Sequence, residues 1–170
     1  MSCVIFLRDN KKLTKEIVLV VRPDELALLK SKMLNKPAPQ FDLEVIGSKK
    51  PGALKDYLGK VVILEFWATW CPACRSTHKK LNALVESKGN EIAVLTISSE
   101  EKNVLENFVK AKNPQFVVLR DSKRITGQDW TFSAIPAMAV IDKKGVIRNV
   151  VIGAGVYLDE TIAKAIELTK

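Results

Sequence analysis

Two of the three cysteines stand three residues apart, in the segment Phe66-Trp67-Ala68-Thr69-Trp70-Cys71-Pro72-Ala73-Cys74. Thiols at this spacing can close a disulfide with each other, and one of them can attack a disulfide in another molecule. The segment lies where an apolar strand gives way to a helix, so Cys71 falls at the helix start and Cys74 one turn on. Unpaired backbone N–H groups and the helix dipole favour an anion at that end, so a thiolate is favoured at Cys71. A free thiol of pKa ~8.5 is about 3% ionised at pH 7, whereas a helix-terminal Cys-X-X-Cys thiol near 7 is about half ionised. In the cycle this implies, Cys71 attacks a substrate disulfide to form a mixed disulfide. Cys74 then attacks Cys71, the reduced substrate leaves, and the chain stays oxidised until a donor re-reduces it. Pro72 fixes the first helical turn, and the Pro-Ala pair between the cysteines carries no charge.

Glu65 interrupts the apolar strand six residues before Cys71. A buried carboxyl there could take the proton from Cys74 as the mixed disulfide resolves, through a water if necessary. Its alternative is structural, a carboxylate paired with a lysine such as Lys60. His78 lies four residues after Cys74, on the same general helix face. With no evident fourth ligand for zinc, it reads as a solvated or weakly tuning histidine, and no metal is expected. Arg75 stands where a c-type haem motif needs histidine, which excludes that motif. Cys3 reads as a small buried or incidental thiol.

The elements that must hold this segment emerge from the pattern around it. Lys60 to Trp67, with Val61-Val62-Ile63-Leu64, predicts a strand covered on both faces. Cys71 to Ser87 predicts a helix with Leu81, Leu84 and Val85 inward, closing near Gly89. Next come a strand over Glu91 to Ser98, a helix over Glu100 to Lys112 and a strand over Phe116 to Leu119. A hairpin then pairs Ala137 to Ile141 with Val146 to Ile152 across Asp142-Lys143-Lys144-Gly145, and a terminal helix spans Leu158 to Leu168. This order predicts an α/β fold with a mixed sheet and helices on both sides. Residues 1–36 read as an extension. Cys3 to Leu7 and Ile17 to Val21 form a hairpin about Arg8-Asp9-Asn10, Pro23 opens a helix, and Lys36-Pro37-Ala38-Pro39 ends it. So short an extension docks on the larger domain beyond it or pairs with a partner.

The 170 residues are 47% apolar and 27% charged, which suits one full core and excludes a disordered chain. The net charge of +8 comes mostly from lysine, 21 of the 27 cations, with no dense arginine cluster for phosphate. A solvated basic surface, and no nucleic-acid partner, is the expectation. No stretch approaches the ~18 apolar residues of a membrane span. Ile17 to Val21 comes after a charged stretch and precedes no small-residue cleavage site, so a cytoplasmic location is expected, with a periplasmic or other extracytoplasmic one if a leader is removed.

The Trp70-Cys71-Pro72-Ala73-Cys74 motif after an apolar strand, Ala134-Ile135-Pro136 before the next, the Ile141-Asp142-Lys143-Lys144-Gly145 hairpin and the Gly153-Ala154 exit together resemble the thioredoxin superfamily. The resemblance covers about residues 37–170. Pro37-Ala38-Pro39-Gln40-Phe41, Leu58-Gly59-Lys60 and the long segment from Ser98 to Pro136 are similar to its TlpA/ResA branch. That likeness implies a central mixed sheet flanked by helices and thiol-disulfide oxidoreductase activity. Members of the branch are usually exported, often in the service of cytochrome c maturation. It further implies a protein disulfide substrate and a reducing protein donor; a monomer, with no cofactor beyond the Cys71–Cys74 disulfide, is the expectation. Pro136 matches the superfamily's cis-proline, which faces the cysteines and binds substrate backbone, and Ile135 shapes that contact. Trp70 and Trp67 match its aromatic pair, with Trp70 the more exposed, and Trp70 and Pro72 join the substrate surface. Glu65 stands where thioredoxin carries a buried acid, while Thr77 replaces the carboxylate that the branch often carries three residues after the second cysteine. Two other readings remain: a peroxiredoxin-like peroxidase, which shares the Pro-Ala-Pro-x-Phe lead-in, and a non-catalytic docking module on the same fold.

Overall fold

The computed structural model describes residues 2–8, 11–17, 24–153 and 155–170. The strands β1 (Ser2–Arg8) and β2 (Lys11–Ile17) pair antiparallel as a separate two-stranded sheet. The strand paired with β1 is Lys11–Ile17, which meets the expected run from Ile17 to Val21 only at Ile17. Pairing of Arg8 with Lys11 leaves two residues between the strands, so the return strand begins at once, whatever its polarity. Asp9, Asn10, most of that apolar run, Pro23 and Ala154 lie outside the described residues, as does the side chain of Cys3. Helix α1 (Glu25–Met33) starts at Asp24, whose carboxylate accepts from Leu26 N–H at 2.9 Å. Its Leu29 and Met33 are buried in the core of the main sheet.

That sheet has six strands: β3 (Glu44–Val45), β4 (Val61–Phe66), β5 (Ile92–Ser98), β6 (Val117–Arg120), β7 (Ala137–Ile141) and β8 (Ile147–Ile152). Their order is β3-β6-β5-β4-β7-β8. Strand β4 runs parallel to β5 and antiparallel to β7, and this central place explains its unbroken apolar run. Val61 and Ile63 face one layer, with Leu81 and Leu84 of α2 (Pro72–Lys88), Leu105 of α3 (Lys102–Lys112) and Ala165 of α5 (Val156–Glu167). Val62 and Leu64 face the other, with α1, Leu54 of a 3-10 turn (Leu54–Tyr57) and Trp130 of the short α4 (Ile125–Trp130). Each buried Leu or Ile contributes about 1.5–3 kcal/mol, so β4 anchors both layers.

The hairpin between β7 and β8 closes at Gly145, whose φ of +82° suits glycine, and the Asp142 carboxylate accepts from the N–H groups of Lys144 and Val146. Neither the 3-10 turn, the two-residue β3 nor α4 has enough apolar periodicity to be read from sequence. Strand β4 ends at Phe66, and the chain turns through Trp67 to Trp70 into α2, which puts both cysteines at the carboxyl edge of the sheet.

Candidate active site

Cys71 is the N-cap of α2 and Pro72 its first residue. The cap is extended, with φ −83° and ψ 108°, and its sulfur accepts from the Cys74 backbone N–H at 3.1 Å. Cys71 and Cys74 form a disulfide, their Cα atoms 5.3 Å apart. A helix N-terminal N–H pointing at Sγ is the interaction that would stabilise a thiolate there after reduction. Cys71 is 4% exposed and Cys74 fully buried, while Pro72 and Ala73 between them are exposed. Accessibility at Cys71 is therefore narrower than the sequence suggests, and it belongs to that cysteine alone. The turn before it is clamped from a distance: the Glu100 carboxylate accepts from both Thr69 N–H and Thr69 Oγ1 at 2.7 Å, and Arg75 Nη1 donates to the Thr69 carbonyl at 3.1 Å.

Beneath the helix lies Glu65, fully buried on β4. Thr77 Oγ1 is 2.5 Å from Glu65 Oε1 and 2.6 Å from the Cys74 carbonyl oxygen. A hydroxyl has one proton and can donate to one of these acceptors at a time. The other carboxyl oxygen, Oε2, lies 3.1 Å from His78 Nε2. That approach is close enough for an ion pair but out of line for a hydrogen bond. His78 is 6% exposed and packed among rings, with Trp67 at 4.6 Å, Phe116 at 4.8 Å and Phe108 at 5.7 Å between centroids. Two expectations are corrected here. His78 is buried beside a carboxyl and not solvated, because its face of α2 is the one laid on the sheet. Lys60 is no partner of Glu65: its Nζ donates to the Gly89 carbonyl at 2.8 Å.

The Ile135–Pro136 peptide bond is cis. Ile135 lines a groove of about 600 Å³ together with Phe66, Trp70, Ile97, Phe132 and Arg124. Trp70 is 69% exposed on its rim, whereas Trp67 is buried. Among the described residues, no three His, Cys, Asp or Glu side chains cluster as a metal would require, and no helix is long and apolar enough to cross a membrane.

The family model described as Redoxin matches residues 33–165. The chain belongs to the Redoxin family. Within it, the chain is 34% identical over 141 residues to the thiol:disulfide interchange protein DsbE of Pseudomonas fluorescens biotype C, covering 81% of this chain and 79% of that protein. It is 30% identical over 147 residues to the protein of the same name from Escherichia coli (strain K12), covering 85% and 79%. The crystal structure of the exposed lipoprotein thioredoxin Etrx1 from Streptococcus pneumoniae strain TIGR4 superposes with a TM-score of 0.68 at 26% identity, covering 76% of this chain and all of that one. This Redoxin member is a thiol-disulfide oxidoreductase of the thioredoxin-like DsbE and ResA branch.

Three residues of this Redoxin site escape a reading of the sequence. Glu100 is 31 positions from Thr69, and no local pattern announces the clamp. Thr77 stands out only as a missing carboxylate, yet its hydroxyl is held against the carboxyl of Glu65. His78 carries a usable signal in hindsight: its i, i+3 relation to Leu81, a core residue of α2, places it inward.

Proposed function

We propose that Cys71 is the attacking thiol, Cys74 the resolving thiol and Glu65 the acid-base group of the second step, acting on protein disulfides in the reductive direction. The observation that carries the assignment is the asymmetry of the pair: Cys71 caps α2, accepts the Cys74 N–H and keeps the pair's remaining exposure. In the forward cycle the Cys71 thiolate attacks one sulfur of the substrate disulfide and expels the other as a thiolate. Cys74 then gives its proton to the Glu65 carboxylate, directly or through a water, and attacks Cys71 Sγ. The mixed disulfide breaks, the Cys71–Cys74 disulfide forms, and the second substrate thiolate leaves. A reducing protein thiol donor returns two electrons, Cys74 regains one proton and Cys71 is regenerated as a thiolate. Substrate backbone docks along Ile135 and Pro136, with Trp70 and Pro72 flanking the sulfurs.

The DsbE name of the relatives supports protein disulfides as substrates. The likeness to an exposed lipoprotein favours an extracytoplasmic location over a cytoplasmic one. Residues 37–170 act as a monomeric catalytic domain, with 1–36 as its extension. A peroxidase reading would require Cys74 as the peroxidatic thiol. Its complete burial and its bond to Cys71 in the same helical turn argue against that role. The test is a parallel assay of the full chain with dithiothreitol as donor. Reduction of insulin disulfides without peroxide consumption supports the proposal, and peroxide consumption without insulin reduction overturns it.

A further inference from the structure

A group that takes a proton on every turnover must also lose it, and Glu65 has no surface of its own. Its Oε1 faces Thr77, which leads back to the Cys74 backbone. Its Oε2 faces His78 Nε2 at 3.1 Å. The His78 ring in turn lines a surface cavity of about 240 Å³, with Phe108 and Phe116 as apolar walls and Arg75, Lys79, Asn82 and Lys112 as polar ones. A histidine set between a sealed carboxyl and an open cavity has the two ring nitrogens that a relay needs: one receives a proton while the other releases one.

We propose that His78 is the port through which Glu65 exchanges its proton with solvent during thiol-disulfide exchange. The inference rests on the roles assigned above to Cys71, Cys74 and Glu65. After Cys74 has passed its proton to Glu65, a small turn of the His78 ring brings Nε2 into line with Oε2, the protonated carboxyl and neutral imidazole become carboxylate and imidazolium, and the imidazolium releases that proton into the cavity. No electrons move in this step, and one proton leaves the protein. When the disulfide is re-reduced, the same path runs inward. His78 acts through Glu65, the carboxyl that its Nε2 approaches. The groups facing it are Glu65 from β4, Trp67 and Phe116 from the loops that flank the sheet, Phe108 and Lys112 from α3, and Arg75 and Lys79 from its own helix.

The experiment separates the two chemical steps by single-turnover quench with a mixed-disulfide-forming peptide, on the full chain, across pH. In His78→Gln, which keeps much of the ring's volume, formation of the mixed disulfide stays at the wild-type rate while its release slows about tenfold or more. In His78→Ala, free imidazole restores release in a saturable manner, because the truncated side chain leaves a ring-sized gap open to the cavity. Release at the wild-type rate in both variants, equal slowing of both steps, or no response to imidazole would each overturn the port. If wild-type protein forms no mixed disulfide at all, the roles of the cysteines fail and the port falls with them; wild-type formation with unslowed variant release removes the port alone.

Discussion

Two carboxylates of this protein live in opposite circumstances. Asp142, at the β7–β8 turn, accepts from Lys144 N–H at 2.9 Å, Val146 N–H at 3.0 Å and Arg148 Nε at 2.8 Å, close to water. Glu65, on the central strand, is sealed, shares one hydroxyl with a backbone carbonyl and meets a histidine out of line. Burial pushes the Asp142 carboxyl up, but the Val146 N–H, Arg148 and the Lys144 N–H outweigh it and hold its pKa below the ordinary value. A carboxylate with three fixed donors stabilises a turn. One with incomplete partners beneath a redox pair gives a turn no such support, and it is the group to which the acid-base role is proposed above. The contrast separates what holds this fold together from what makes it work.

The largest effect expected is at the sulfurs: Cys71→Ser lowers disulfide reductase turnover by at least about a thousandfold. Its thermal midpoint matches that of the reduced wild type, as a calorimetric scan under reducing conditions would show. A large loss of stability instead would move this residue to the structural side of the contrast. Next, Glu65→Gln slows release of the mixed disulfide about ten- to a hundredfold and leaves its formation unchanged in a single-turnover quench. Its stability changes little, because an amide is no costlier to bury than a poorly paired carboxyl. Unchanged release would put Glu65 beside Asp142 as a merely structural acid. Trp70→Ala, on the exposed rim, raises KM for a peptide disulfide severalfold with kcat nearly intact, which initial-rate kinetics would reveal.

The smallest effect on activity belongs to Asp142→Asn, which leaves turnover unchanged and destabilises the fold by about 1 kcal/mol, a shift of a few degrees in thermal midpoint. Its sign with pH is set by the lowered pKa. The folded state binds the Asp142 proton less tightly than the unfolded chain, so the contribution is complete above the unfolded carboxyl's pKa of ~3.9 and is lost as pH falls through the folded value. Wild type and Asp142→Asn therefore converge in stability in acid; a difference that persists at low pH would contradict this account.

The same contrast explains what can be read from the residues alone. The sulfurs are legible because their chemistry depends on a spacing of three and a helix start, both written locally in Trp70 to Cys74. Strand β4 is legible because burial on both faces forces a continuous apolar run, and Glu65 shows as its interruption. The alternation of strands and helices carries the layered sheet. What is not legible depends on side chains meeting across the fold. Glu100 reaches Thr69 over 31 residues, and Thr77 and His78 converge on Glu65 only when α2 lies on β4. The hairpin at the start departs from its apolar pattern for a related reason: the two-residue spacing between Arg8 and Lys11, not apolar content, sets where β2 begins. Polarity patterns record burial, and they do not record which buried polar groups become neighbours.

The central claim is that residue 71 carries the substrate and residue 74 releases it. The direct measurement is peptide mapping, by mass spectrometry, of the adduct formed when the reduced Cys74→Ser protein meets a disulfide substrate. The account predicts a stable mixed disulfide on Cys71, and none when Cys71→Ser replaces it. Substrate found on Cys74 in the Cys71→Ser protein, at a rate equal to that of the Cys74→Ser adduct, would contradict it.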